Sequence, residues 1–200
     1  MIAIETDRLY FREIFESDDC SILELDSDPA VHQYLGNNPI KDIIQARDLI
    51  QFIRQQYVDN GIGRLAIIEK ETDNFVGWGG FKLITNLING HQNYHDLGYR
   101  FIKRYWGKGY ATESSKAAIE FGFNKLELPA IYAIADTNNI QSKKVLEKCG
   151  FRCKEIFDYE VTPHYWFELK QDQINRLDLE LVTNSKIPRS HLPLIFKLLA

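Results

Sequence analysis

Apolar positions follow two kinds of spacing along this chain. Seven runs have the composition and alternation of strands. These strand-like runs are residues 2–14, 64–70, 74–83, 94–102, 130–135, 152–160 and 164–170. Three other segments carry apolar residues at helical spacing, and they are residues 42–58, 110–126 and 139–149. The chain is therefore predicted to mix strands and helices.

The order of these elements indicates the fold class. The second to fourth strand-like runs follow one another without a helix, and the turn-forming Thr72-Asp73-Asn74 joins the first two of them. This predicts an antiparallel meander. Helix, strand and helix alternate after it, so we expect an α+β (mixed αβ) fold. Its central sheet should be mostly antiparallel and twisted, with six to seven strands flanked by helices.

Length and composition favour one globular domain. The chain has 200 residues, of which 44% are hydrophobic, enough for a single core and short for two full domains. We assign residues 1–170 to this domain. Residues 171–200 are predicted to be a C-terminal extension, because Pro188 and Pro193 interrupt it and its end is an apolar cluster. We expect the extension to dock on its own domain or on a subunit.

Charge and cysteine content exclude several classes of partner. The net charge of -4 gives no broad attraction for nucleic acid, so any phosphate group must be bound locally. Three cysteines without metal-ligand spacing suit a reducing, cytoplasmic compartment. The five histidines are scattered, so no metal site is expected. The N-terminus lacks the pattern of a signal peptide, and no apolar span is long enough to cross a membrane.

A glycine-bearing turn is the first candidate binding site. A strand ends near Ile102, a loop contains Gly107 and Gly109, and a helix begins near Tyr110. The first amides of a helix lack internal acceptors and carry partial positive charge, so a pyrophosphate would be stabilised there. Lys108 and Arg104 add local positive charge. A simple turn is the alternative interpretation of this segment.

A second motif starts the helix that follows the fifth strand. It runs from Asn139 through Ser142 to Gly150 and Phe151, with the sequence NIQSKKVLEKCGF. Asn138 or Asn139 can cap the helix and Gly150 can end it. These local roles do not explain why the motif follows the glycine loop in this order.

Four stretches together resemble the GNAT superfamily of acyl-coenzyme A N-acyltransferases, in the branch of the ribosomal-protein acetyltransferases RimJ and RimL. They are ETDRLYFRE, DLGYRF, WGKGYATE, and N-x-x-S with EKCGF, and they span Glu5 to Phe151. The resemblance implies the GNAT fold, whose sheet is splayed between the fourth and fifth strands. It also implies acetyl-CoA as co-substrate.

The resemblance further implies a set of cofactor-binding residues. The family signature falls on Arg104-x-x-Gly107-x-Gly109 or on Trp106-x-x-Gly109-x-Ala111, and both alignments place the loop on the pyrophosphate. The backbone of the fourth strand should pair with the pantetheine arm. The predicted cofactor-binding residues are Tyr99, Phe101, Arg104, Trp106, Gly107, Lys108, Gly109, Tyr110, Ala111, Thr112, Asn139, Ser142 and Lys144.

Roles in the second motif and its helix are implied in the same way. Asn139 would contact the pantetheine or hold the adjacent backbone, and Ser142 would lie near the sulfur. Lys144, or its neighbours Lys143 and Lys148, would meet the 3'-phosphate; a solvated helix face is the alternative for these lysines.

Direct transfer of an acetyl group to an amine requires a base, an oriented carbonyl and a proton for the leaving thiolate. Asp96 is the first candidate for the base, because it precedes Gly98-Tyr99 where this branch often carries an acidic residue. An ion pair with an arginine is the structural alternative. Glu69 is a further candidate, and His95 should face the opposite side of a regular strand.

Ser142 is the candidate proton donor to the thiolate, with Tyr165 as the alternative. A backbone amide near Tyr99 or Phe101 would polarise the carbonyl. Cys149 and Cys153 lack a neighbouring histidine in sequence, so a covalent acetyl-cysteine is not expected.

The sequence therefore predicts an N-acetyltransferase that moves an acetyl group to a primary amine, with a peptide or protein N-terminal α-amine as the favoured acceptor. A small-molecule amine acetyltransferase and a non-catalytic acyl-CoA sensor are the alternatives. The acceptor and the formation of a homodimer are left open.

Overall fold

The computed structural model describes residues 4–173, which contain seven strands, five α-helices and two short 3-10 helices. The strands are β1 (Leu9–Arg12), β2 (Leu65–Glu69), β3 (Asn74–Ile84), β4 (Tyr94–Phe101), β5 (Ala130–Asp136), β6 (Arg152–Tyr159) and β7 (Thr162–Lys170). The α-helices are α1 (Asp19–Asp26), α2 (Pro29–His32), α3 (Ile43–Asn60), α4 (Tyr110–Asn124) and α5 (Ile140–Lys148). The 3-10 helices are Glu16–Asp18 and Lys103–Tyr105.

The strands form one sheet in the order β1-β2-β3-β4-β5-β7-β6. β1 pairs antiparallel with β2, β2 with β3, and β3 with β4, and β6 pairs antiparallel with β7. Strands β4 and β5 run parallel, and within the described residues they pair only where Asp96 lies opposite Tyr132. The two strands part beyond this pair. The mixed fold with a seven-stranded sheet is thereby confirmed.

Helices cover both faces of the sheet. Successive side chains of a strand point to opposite faces, so each strand contributes residues to both. Trp78 of β3 donates its indole N–H to Asp26 of α1, and α3 packs against α1. On the other face Phe81 of β3 packs on Gly122 of α4, where an added Cβ would lie 2.6 Å from the ring. We call these two sides the α1–α3 face and the α4–α5 face.

The first strand is shorter than predicted. A strand over residues 2–14 was expected, but β1 spans only Leu9–Arg12. The backbone N–H of Thr6 donates to Leu9 O at 2.8 Å, and the Thr6 hydroxyl accepts from Leu9 N at 2.9 Å. This turn folds Ile4 back onto Phe11, whose N–H donates to Ile4 O. Side-chain bonds of threonine to nearby backbone favour such turns over extended chain.

The helices begin and end close to their predicted bounds. Asp42 caps α3 by accepting from the amides of Ile44 and Gln45, and Gly61 ends the helix with a φ of 67°. Helix α2 was not predicted, since its four residues are too few to show a period. No helix within residues 4–173 has the length and apolar character needed to cross a bilayer.

Contacts divide the chain into residues 1–169 and residues 170–200. The division of the chain into a domain and an extension at residue 170 stays a prediction. The predictions for residues 174–200, including the docking of the apolar end, lie outside the described residues.

Candidate active site

The glycine loop between β4 and α4 is open on its outer side. Gly107 has a φ of 76° and Gly109 a φ of 84°, a region that residues with a Cβ adopt with strain. A Cβ added at Gly107 would meet nothing within 4 Å. The first helical bond of α4 runs from Glu113 N to Gly109 O at 3.1 Å, so the amides that precede it point out of the helix end. These are the amides of Tyr110, Ala111 and Thr112.

Arg8 supports this loop from the N-terminal turn, a role that the sequence reasoning missed. Its Nε donates to Glu113 Oε2 at 2.7 Å, and its Nη1 donates to the carbonyl of Lys108 at 3.0 Å. Burial opposes ionisation of Glu113, but hydrogen bonds from Thr6 and Arg8 lower its pKa. Arg8 belongs to the ETDRL stretch that carries the family resemblance, but no local sequence pattern links residue 8 to residue 113. Arg8 thus ties the loop to the first turn of α4.

Arg104 and Lys108, the two cations of the loop, each lie near an acidic side chain. Arg104 pairs with Glu24 of α1, so its guanidinium is turned toward that helix. Lys108 Nζ lies 3.8 Å from Glu69 Oε1 and 4.8 Å from the ring centre of Tyr105. We infer that Lys108 is the better placed of the two to meet an anion at the loop.

Glu69 lies at this loop as well, at the end of β2. Its carboxylate accepts from the hydroxyl of Tyr110 and from Thr72 Oγ1. The hydrogen bond to Glu69 raises the pKa of Tyr110 to about 12. The buried Tyr110 ring therefore anchors the start of α4, and its amide stays available at the helix end.

The edge of β4 that faces β5 is open beyond Asp96. The amide of Ile102 donates to Val76 O at 3.0 Å and so points toward β3. Because successive residues of a strand point their N–H and C=O groups to opposite sides, the groups of Tyr99 and Phe101 point into the gap. Trp106 Nε1 donates to Phe101 O at 2.7 Å. The backbone positions predicted to pair with pantetheine therefore line this gap.

Tyr99 and Ser142 meet across the gap on the α4–α5 face. The Tyr99 Oη and Ser142 Oγ atoms are 3.0 Å apart, and either can be the donor. Asn139 caps α5 by accepting from Ser142 N at 3.0 Å, so it holds the backbone of the motif in place. Burial raises the pKa of Tyr99 and keeps its hydroxyl protonated. The structure thus brings together β4 and the N-x-x-S motif.

Asp96 lies at the point where β4 and β5 part, on the α1–α3 face. Its carboxylate pairs with Arg64 Nη2, and Arg64 Nη1 donates to the Asp96 carbonyl at 2.7 Å. Burial raises the pKa of Asp96, against the opposing effect of Arg64. His95 points to the other face, where its ring centre lies 6.5 Å from that of Phe81. Arg64 was not predicted as a site residue.

The lysines of α5 differ in their contacts. Lys143 Nζ pairs with Glu147 at 2.5 Å and lies 5.8 Å from the ring centre of Tyr165. Lys144 and Lys148 make no salt bridge within residues 4–173, and their contact with a 3'-phosphate stays a prediction. In the same part of the chain, no group of three or more His, Cys, Asp or Glu residues could hold a metal ion.

The open loop, the helix amides that have no partner within residues 4–173 and the edge of β4 beyond Asp96, where Trp106 takes only the carbonyl of Phe101, fit a coenzyme A molecule along this side of the sheet. The comparisons with known proteins agree. Residues 8–152 match the family described as acetyltransferase (GNAT) domain. A Bacillus licheniformis protein named uncharacterized N-acetyltransferase p20 is 35% identical over 162 residues, which are 80% of this chain and 88% of that protein.

Two solved structures share the fold at lower identity. Ribosomal-protein-S5-alanine acetyltransferase from Vibrio fischeri has a TM-score of 0.69 and 17% identity, over 86% of this chain and 98% of its own. Spermidine N-acetyltransferase from Vibrio cholerae, in complex with CoA and spermine, has a TM-score of 0.69 and 18% identity, over 84% and 98%. The chain therefore belongs to the GNAT family and is an acetyl-CoA-dependent N-acetyltransferase.

Proposed function

We propose that this enzyme acetylates the α-amine of a peptide or protein N-terminus by direct attack in a ternary complex. The observation that supports direct transfer is the presence of a carboxylate on one side of the gap between β4 and β5 and of two hydroxyls on the other. Asp96 lies on the α1–α3 face, and the hydroxyls of Ser142 and Tyr99 lie on the α4–α5 face. This arrangement suits an amine that enters from one face and a thiol that leaves toward the other.

Acetyl-CoA supplies the acetyl group as a thioester, and the chain's own residues orient it and move protons. The amides at the start of α4 would hold the pyrophosphate, and the backbone of Tyr99 and Phe101 would hold the pantetheine. Asp96 would accept a proton from the entering ammonium, directly or through water. Its raised pKa makes it a stronger base than an ordinary aspartate, while Arg64 fixes the orientation of its carboxylate.

The proton for the departing thiolate would come from Ser142 Oγ. The second proton, which the nitrogen loses as the amide forms, would restore the hydroxyl pair, since Tyr99 Oη lies within hydrogen-bond distance of Ser142 Oγ and can pass a proton to it. Cys149 does not suit a covalent route, because burial raises the pKa of its thiol to about 11 and its S–H donates to the Thr112 carbonyl. The amine is therefore expected to attack the thioester itself.

Ser142→Ala is expected to lower kcat about tenfold without weakening acetyl-CoA binding. The loss should be moderate, because the Tyr99 hydroxyl remains close to the same place. Adding Tyr99→Phe should lower kcat further than either change alone. Steady-state kinetics with calorimetric coenzyme binding checks both effects, and wild-type turnover in the double variant would exclude these hydroxyls from proton transfer.

Support for an α-amine acceptor comes from the motifs shared with the RimJ and RimL branch, and from the fold shared with the ribosomal-protein-S5-alanine acetyltransferase. A polyamine is the competing acceptor, since the spermidine enzyme has the same fold.

We further propose a cytoplasmic location, because Cys20, Cys149 and Cys153 are all free thiols, as expected in a reducing compartment.

The acceptor class is tested by following thiol release from acetyl-CoA with short peptides, spermidine and an aminoglycoside. We expect the highest kcat/KM with peptides that carry a free α-amine. A kcat/KM for spermidine above that of every peptide would contradict the proposed acceptor and leave the acetyltransferase activity standing.

A further inference from the structure

Lys82 is a half-buried cation beside the candidate base. It lies on β3 directly opposite Asp96 of β4, so both side chains point to the α1–α3 face. Opposite residues of an antiparallel pair have Cβ atoms about 5 Å apart. The ammonium nitrogen lies 5.5 Å from the ring centre of Phe52 on α3. Lys82 thus lies beside Asp96, on the face from which the amine is proposed to enter.

The carboxylate opposite Lys82 is already paired with another cation, because Asp96 pairs with Arg64. Within residues 4–173, no carboxylate lies within 4.0 Å of the Lys82 ammonium. Burial and the nearby Arg64 lower the pKa of Lys82, against the opposing effect of the Asp96 carboxylate, which Arg64 already pairs with. An ammonium withdrawn from water is costly where its counter-charge is shared with another cation, and a further anion bound there would relieve that cost.

The charge around Asp96 also disfavours a polycation. Two cations, Arg64 and Lys82, accompany this one carboxylate. Spermidine would bring further positive charge to a region that already has a cation in excess. An acceptor with a carboxylate near its amine would instead balance the charge.

We propose that Lys82 binds a carboxylate of the acceptor, and that the preferred acceptor is an α-amine with a carboxylate in its first or second residue. The inference rests on the proposed function and narrows its substrate class. Two sources supply this chemistry, namely an acidic side chain in a peptide and the α-carboxylate of a free amino acid. In both cases the carboxylate contacts Lys82 while the amine faces Asp96.

The test compares acceptors of matched shape, one with a carboxylate and one with the corresponding amide. Peptides beginning Ser-Asp and Ser-Asn form one pair, and free serine and serinamide form the other. Because its carboxylate raises the pKa of the amine of serine above that of serinamide, kcat/KM is expressed per concentration of neutral amine. For the wild-type enzyme we expect the carboxylate member of a pair to have about tenfold higher kcat/KM, mainly through a lower KM. Lys82→Met should abolish that preference, and Lys82→Glu should favour a peptide beginning Ser-Lys over Ser-Asp.

Lys70→Met is the matched control, because Lys70 pairs with Glu5 at 3.0 Å at the opposite end of the sheet. It should keep the wild-type preference. Equal kcat/KM for Ser-Asp and Ser-Asn peptides, and for serine and serinamide, would overturn the role of Lys82 and leave the peptide acceptor intact. A preference seen only between serine and serinamide would support Lys82 and contradict the peptide acceptor.

Discussion

Replacing Gly109 with aspartate is expected to weaken acetyl-CoA binding by about a hundredfold or more. Gly109 is the N-cap of α4, and its backbone adjoins the free amides that would receive the pyrophosphate. A carboxylate there would repel the pyrophosphate and could bond to the amides itself. Calorimetric titration of coenzyme A into the purified variant measures the loss, and circular dichroism checks that the fold is kept.

Gly109→Asn separates charge from backbone strain. Asparagine has nearly the shape of aspartate and tolerates positive φ better than most residues, so strain at the φ of 84° is similar in both variants. A Cβ at this position would lie 3.6 Å from Arg8 Nη2, an ordinary contact. We expect the asparagine variant to bind coenzyme A much better than the aspartate variant. Wild-type affinity in Gly109→Asp would show that the pyrophosphate lies elsewhere.

Asp96→Asn is expected to lower kcat/KM about a hundredfold and to remove the part of its rise with pH that comes from Asp96, leaving the rise that follows deprotonation of the acceptor amine at a pKa of about 8. The carboxylate must be ionised to accept a proton, so the wild-type rate should rise as pH increases through the pKa of Asp96. Because burial raises that pKa, the rise should lie above the range of an ordinary aspartate. An amide does not titrate, so the variant should lose this limb of the profile.

Loss of the ion pair is a separate effect of Asp96→Asn, since Arg64 would be left without its carboxylate. Coenzyme binding and thermal unfolding therefore need to be measured on the same variant. Glu69→Gln is the matched control. Glu69 contacts Tyr110 at the glycine loop, away from the point where β4 and β5 part at Asp96. It should keep the pH-dependent rise. An unchanged rise in Asp96→Asn would exclude Asp96 as the base.

The sequence allowed prediction of the donor side of the site because its signals are local. Gly107 and Gly109 lie next to the helix that they precede, and Asn139 caps α5 within the motif that predicted it. The positions of the strands and helices along the chain follow from periodicity over short windows, whereas the splayed sheet was implied by the family resemblance. The contact of Tyr99 with Ser142, by contrast, depends on how far β4 and β5 part.

The residues around Asp96 could not be predicted, although Asp96 itself was, because their roles depend on contacts between distant parts of the chain. Arg64 and Lys82 look like ordinary strand cations in sequence, and only the register of β3 and β4 places Lys82 opposite Asp96. The stack of His91 on Trp166, with ring centres 4.7 Å apart, likewise joins a loop to β7. No local pattern links residues that are so far apart.

The central claim is that acetyl transfer depends on a free α-amine in the acceptor. Its most direct test is thiol release from acetyl-CoA with one peptide in two forms, one with a free N-terminus and one with a formylated N-terminus, each carrying an internal lysine. The proposed function predicts release with the free form alone and an acetyl group on its α-nitrogen. Equal release with both forms, or acetyl found on the lysine, would contradict it.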